Sequence, residues 1–296
     1  MKNPIYRKEL KRYARTTRTI VALVVFQLAL TVIGLFAFYV SFVLPSRRGT
    51  GIEYANALSM YRILGMVELL LVSLTVPAVS AGSVCGEREK QTLELLLSTT
   101  LPTAEILRGK LMASLHLTLL LMAASLPVFG LVFAIGGVNL WHLLVLYLYL
   151  VLMAVWMGSV STFFSVLCKK TANACLGSYA VLLCLMGGTL LLTLGLYVLH
   201  APEEAYASLQ GVYRGWVTSP VLEENWNLLL LDNPLFGFAA LLQHQTGNSM
   251  ALLNYGSPAG VAAFLRTHWF LVSVFLKLAE IAVFQTVSVR LLSRKG

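Results

Sequence analysis

The chain has 296 residues, 58% of them hydrophobic and 12% charged, with a formal net charge of +9. Its mean hydropathy of +0.78 leaves too little polar surface for a soluble domain, which makes it a polytopic membrane protein. The charge does not point to nucleic acid, because the basic residues flank apolar runs, as membrane topology requires.

Met1–Thr17 opens the chain. On a helical wheel Tyr6, Leu10, Tyr13 and Ala14 share one arc, and Arg7, Lys8, Lys11, Arg12 and Arg15 share the opposite one. That separation predicts an amphipathic helix in the headgroup region, its basic face toward anionic lipid. Met1–Arg18 is too basic to hold the apolar core of a cleavable signal. Six apolar runs follow, each long enough to cross a hydrocarbon core at about 1.5 Å per residue. They lie near Thr19–Leu44, Leu58–Ala81, Leu111–Ile135, Trp141–Leu167, Ala174–Leu199 and Thr267–Leu291.

Lys and Arg set the orientation. Sixteen of them fall in the N-terminus, the segment after span 2, the turn after span 4 and the C-terminus. Five (Arg47, Arg48, Arg62, Arg214 and Arg266) fall on the other side. The bias predicts that both termini are cytoplasmic. The long extracytoplasmic segment 200–266 carries Trp216 and Trp226, and its run Asn233–Leu242 suits a short re-entrant or surface helix, or else part of a small soluble cap. Cys85, Cys168, Cys175 and Cys184 have no metal-ligand spacing and read as reduced structural thiols.

The chain contains no GxxxxGK[ST] loop, no HExxH and no GxSxG elbow, so it brings neither its own nucleotide site nor a recognisable hydrolase motif. Ser159 with His116 is a conceivable protease pair from separate spans, and Ser in a membrane helix is usually a packing residue or a backbone-bonded hydroxyl. Three ionisable residues lie inside spans, where each needs a partner or a water-lined face. Lys277 and Glu280 are three apart on one helical face and suited to pair, or to serve a substrate. Glu68 has no local partner. It suits a polar pathway, a contact with a second copy, or a protonated carboxyl bonded to a neighbouring span. Pro77 and Pro127 are expected to kink spans 2 and 3, and Gly158, Ser159, Ser161 and Gly187–Gly188 permit close helix contacts.

The segment Ser83–Lys110 is the long charged interruption in the first two-thirds of the chain. Its residues Glu87–Leu97 predict a short helix with an acidic start and a leucine edge of Leu93, Leu96 and Leu97. Two readings stay open: a docking helix for a cytoplasmic partner, or leucines buried in the chain's own membrane domain.

NPIYRKELKRYAR at the N-terminus and GEREKQTLELLLSTTLPTAEILRGK after span 2 resemble the permease subunit of an ATP-binding-cassette type-2 exporter. The resemblance rests on Glu87, Arg88, Glu89, Thr92, Leu93, Glu94, Leu96, Leu97, Thr99, Leu101, Glu105, Ile106, Gly109 and Lys110, with DNPLFGFAALL at Asp232–Leu242 also similar. It implies an all-α integral membrane protein: an elbow helix at residues 1–18, then a six-span domain at 19–296 with a cytoplasmic coupling loop at 83–110. It implies that the coupling helix docks on a separately encoded ABC ATPase through Glu87, Arg88, Glu89, Thr92, Leu93, Glu94, Leu96 and Leu97. Lys169 and Lys170 would make a second, minor contact. Two ATPase copies and two permease copies, identical or homologous, would assemble in the cell membrane. ATP and Mg would sit on the ATPase, and this chain would bind no cofactor and do no chemistry. The cargo is expected to be a hydrophobic or amphipathic compound, a peptide or a lipid, and charge reversal at Glu87, Glu89 and Glu94 is expected to uncouple the two subunits. Rival expectations are a polytopic membrane enzyme, and a peptide-sensing or immunity component that uses 200–266 without transport.

Overall fold

The structure is a computed structural model that describes residues 4–14, 17–47, 54–99, 101–135, 138–200, 230–247 and 268–294. The protein is an all-α integral membrane protein. Among the described residues, six helices are long and apolar enough to cross a membrane: Ile20–Ser46, Asn56–Glu89, Thr103–Ala134, Leu140–Leu167, Thr171–Thr193 and Trp269–Ser293, hereafter spans 1 to 6. The chain divides into one compact unit of residues 1–179 with 279–296 and a second of 180–278.

In the first unit, spans 2, 3 and 4 pack on one another with span 1 against spans 2 and 3. Close approach depends on Gly158 of span 4. A Cβ there would come within 2.9 Å of the Leu111 side chain and 3.7 Å of Val76, so a larger residue would have to push Leu111 aside. Gly177 of span 5 lies equally tight against the ring of Phe164. Pro77 and Pro127 both sit inside helices. Beyond Pro77 the helical path continues, because the Ala81 N–H donates to the Pro77 carbonyl at 2.9 Å. Span 1 widens instead: residues Tyr39–Val43 form a π-turn just before Pro45, with Leu44 N–H donating to Tyr39 O. The wider turn relieves the clash that the proline ring makes with the preceding turn.

Spans 2 and 3 outrun the membrane. Their 34 and 32 residues correspond to about 50 Å of helix, against a hydrocarbon core of about 30 Å. The apolar runs end at Ala81 and begin at Leu111, so the excess lies in 82–89 and 103–110, two adjacent helix ends that form a short stalk. The apolar run expected to end near Ala81 does so where the first helix of span 2 stops, at Ser80, and a second helix, Gly82–Glu89, carries the path on beyond the lipid. At the same end, Val84, Leu107, Val166 and Leu292 form a buried cluster from spans 2, 3, 4 and 6.

The N-terminal helix Pro4–Ala14 packs along span 3. Arg7, Lys8 and Lys11 are exposed, as the predicted arcs require, while Ile5 and Glu9 are the buried positions.

In the second unit, span 5 carries a π-turn at Cys184–Gly188 and continues as Thr189–His200. A short helix, Pro234–Gln245, stands where the sequence predicted one. The remainder of segment 200–266, including Trp216 and Trp226, lies outside the described residues.

Candidate functional site

The stalk is built around three consecutive charged residues. Successive positions on a helix point about 100° apart, so Glu87, Arg88 and Glu89 each face a different neighbour. Glu87 accepts from Lys110 Nζ of span 3 at 3.1 Å, and Lys110 also reaches Glu9 of the N-terminal helix at 3.5 Å. Lys110 is 4% exposed and Glu9 7%, so this is a buried cation between two carboxylates, with the Thr92 hydroxyl donating to Glu87 as well. Arg88 turns to span 4. Its guanidinium donates to the carbonyls of Cys168 and, at 3.3 Å, Val166, two of the acceptors that the end of a helix leaves unpaired. Glu89 turns to span 5, where its carboxylate accepts from the Thr171 N–H at 2.7 Å and the Thr171 hydroxyl at 2.6 Å.

Span 4 also fixes the root of the stalk. The Ser165 hydroxyl accepts from the N–H groups of Val84 and Cys85 at 2.9 and 3.0 Å, and the Cys85 thiol donates to the Ser165 carbonyl. Cys85 is therefore a buried structural thiol.

The predicted single helix Glu87–Leu97 is two helices. Gly82–Glu89 ends span 2, and Leu93–Leu97 is a separate turn and a half. Between them the backbone makes a Schellman cap: Gln91 N–H donates to Arg88 O at 3.0 Å and Thr92 N–H to Glu87 O at 2.9 Å. Gln91 holds the left-handed position of that cap with φ 58°, where glycine is the usual residue. Gln91→Gly is expected to stabilise the turn by about 0.5 kcal/mol, the left-handed penalty less the extra entropy of an unfolded glycine. Thermal unfolding of the purified protein checks this, and a lower melting temperature would contradict a strained cap.

The cap also decides which leucines face in. Leu93 and Leu97, half-buried, pack against the Val84–Leu107–Val166–Leu292 cluster, so these two anchor the turn on the chain's own domain. Leu96 is half-buried, whereas Leu95 is 74% exposed and Glu94, Lys90 and Gln91 are exposed beside it. Lys169 and Lys170 are likewise exposed, on the turn whose first carbonyl Arg88 holds. Glu87 and Glu89 spend their oxygens on the chain itself, and of the three acids predicted to meet a partner only Glu94 is exposed with no side-chain bond among the described residues. Glu9 and Lys110 carry the buried half of the network. Glu9 is the one acid among the basic residues of the N-terminal helix, four residues after Ile5, a spacing that places both on one face.

The intramembrane charges find partners on other segments. Glu68 is fully buried. Its Oε1 lies 2.5 Å from the Ser125 hydroxyl of span 3, which lies 2.7 Å from the Tyr147 hydroxyl of span 4. Its other oxygen has no partner among the described residues. Full burial takes it away from any second copy in this conformation. Glu280 accepts from the Trp156 indole N–H, and one turn on Gln285 donates to Ser159 and Thr162 at 3.2 and 3.3 Å, a polar seam between spans 4 and 6. Lys277 donates to Asp232 at 2.8 Å, so Lys277 and Glu280 each engage a distant segment, which an i, i+3 pairing does not require. The Ser159–His116 pair is not formed. Ser159 donates to Val155 O, and His116 Nδ1 lies 3.4 Å from the Tyr6 hydroxyl.

Asn233 joins the short helix to span 5. Its side-chain carbonyl caps Pro234–Gln245 by accepting from the N–H groups of Leu235 and Phe236 at 2.8 and 3.0 Å. Its amide donates to Met186 O at 2.8 Å and to the Thr189 hydroxyl. Met186 lies in the π-turn, where the inserted residue frees a carbonyl from the helical ladder.

Apolar spans with a charged stalk whose side chains tie one helix to the next define a polytopic helical membrane protein. A family model described as ABC-2 family transporter protein matches residues 3–295, and the chain belongs to that family. It is a membrane permease subunit of an ABC transporter. Members of the family are the transport membrane component, without a nucleotide-binding domain of their own. A search of curated proteins gave no match.

Proposed function

We propose that this chain is the membrane half of an exporter driven by a separate cytoplasmic ABC ATPase, with the stalk in the cytoplasm as the docking point. The observation that carries the reading is the sorting of side chains on Leu93–Leu97: two leucines anchor the turn while Leu95 stands 74% exposed beside Glu94 and Lys90. An exposed leucine ringed by charges of both signs, on a rigid projection, has the profile of a small protein contact. Lys169 and Lys170 extend that face. The assembly is two permeases, identical or homologous, with two ATPase subunits that bind ATP and Mg. The chain lies in the cell membrane with both termini cytoplasmic, in contact with lipid and not with nucleic acid. Its cargo is a hydrophobic or amphipathic compound, peptide or lipid. Glu68 and Lys277 are fully buried in this conformation, so a part for them in the cargo path requires another one.

Leu95→Asp is the direct test. It removes an apolar contact without touching the chain's own core. The ABC ATPase that copurifies with the native chain is expected to bind the variant about 30-fold more weakly. Binding at wild-type strength would place the docking point elsewhere. Hydrolytic activity of the purified chain without any ATPase would favour the membrane-enzyme reading instead.

A further inference from the structure

We propose that Glu89 is a positioning residue that hands movement of the docking turn to span 5, by serving as the N-terminal cap of a helix it does not belong to. The inference rests on the docking reading above and adds where the motion goes.

Span 5 begins without a cap of its own. Ala174 N–H donates to Lys170 O at 3.1 Å, which makes Lys170 the residue before the first helical position. A lysine side chain has no acceptor to offer the free N–H groups of the first turn. Glu89 supplies that acceptor from the end of span 2. It takes the Thr171 N–H and the Thr171 hydroxyl together, one oxygen each. A carboxylate at a helix N-terminus is favoured by the helix dipole as well.

Around this clamp the joint is thin. The buried side chains between the two helices there are Ala81, Cys85 and Ala174, with Gly82 against the Thr171 methyl, and Phe164 of span 4, Cys168 just past its end and Cys175 of span 5 packed against them. Between spans 2 and 5 themselves the buried contacts are small, and the one large side chain at the joint, Phe164, comes from span 4. The two bonds to Glu89 tie the first turn of span 5 to the end of span 2, and two turns further on the Tyr179 hydroxyl donates to Leu74 O of span 2. The spans 3 and 4 links differ. Glu87 and Arg88 act where Val84, Leu107 and Val166 already lock the helices by packing. Displacement of Lys90–Leu97 by a bound partner rotates the end of span 2, and through Glu89 it tilts span 5, whose outer face at Leu176 is 69% exposed.

The test uses the whole transporter, the permease with its copurified ATPase in lipid vesicles. It measures three quantities: the affinity between subunits, the melting temperature of the complex, and the ATPase turnover gained over the isolated ATPase. Glu89→Gln loses one charged acceptor, and Thr171→Val loses the hydroxyl. Each is expected to leave affinity and melting temperature near wild type and to cut the gained turnover by about 5-fold or more, the lower end of ordinary coupling strengths. The double variant is expected to be no worse than either single one, because both break the same clamp. Thr171→Ser keeps the hydroxyl and is expected to keep the coupling. If Glu89 instead touches the ATPase, Glu89→Gln weakens subunit affinity while Thr171→Val changes nothing, and the proposal falls. It also falls if both variants couple normally, or if turnover drops only in step with melting temperature. Absence of any gained turnover in the wild-type complex would overturn the docking reading first.

Discussion

Lys110→Met is expected to destabilise the protein by about 3 kcal/mol, because it leaves two buried carboxylates facing each other with no cation between them. The side chains of Lys110, Glu9 and Glu87 are 3%, 10% and 16% exposed, so water screens the repulsion poorly. Methionine keeps the length and most of the packing of lysine, so the loss reports charge rather than a cavity. Adding Glu87→Gln to Lys110→Met is expected to recover about 1 kcal/mol or more, since the amide still accepts from Thr92 without a buried negative charge. Thermal unfolding of the single and double variants reads both effects. A single variant as stable as wild type would mean that the network is solvated, and the stalk would then owe its rigidity to Arg88, Ser165 and the leucines alone.

Asn233→Ala is expected to cost about 3 kcal/mol, from a lost helix cap of about 1 kcal/mol and a buried carbonyl stripped of its donor at about 1–3 kcal/mol. The residue is 1% exposed and makes four hydrogen bonds, two accepted and two donated. Asn233→Asp separates the two halves of the effect. An aspartate caps as well as asparagine but cannot donate to Met186 O, and it places a buried charge against that carbonyl. The aspartate variant is therefore expected to be no more stable than the alanine one. If it regains most of the loss, the contact with the π-turn matters little, and Pro234–Gln245 is held by its cap and by Phe236, Phe238 and Leu242 alone.

Both networks show how far the residues could be read in advance. The amphipathic start, the six spans and the charged break between spans 2 and 3 follow from local periodicity and hydropathy, and the structure has them. Glu87, Arg88 and Glu89 stood out as charges, but their targets did not. Cys168 and Thr171 lie 80 and 82 residues further along the chain, and no spacing rule relates them. The single helix predicted over Glu87–Leu97 failed at one backbone angle. Gln91 in the left-handed region is a conformation that its residue type disfavours, and only the cap formed with Glu87, Arg88 and Thr92 holds it there. Local propensity argued for continuation, and the backbone bonds of the cap won.

Composition and the order of polar and apolar runs were enough, by themselves, to settle that this chain is a helical membrane protein with six spans and a charged projection. Those properties depend on solvent: each stretch partitions by its own hydropathy, whatever its neighbours are. Which charge meets which helix depends instead on the azimuth of each side chain and on how close two helices come. Gly158 sets one such approach and the turn at Gln91 sets another. Only the tertiary structure could therefore assign Glu87 to Lys110, Arg88 to the end of span 4 and Glu89 to the start of span 5. Only it could leave Leu95, rather than Leu93 or Leu97, facing outward.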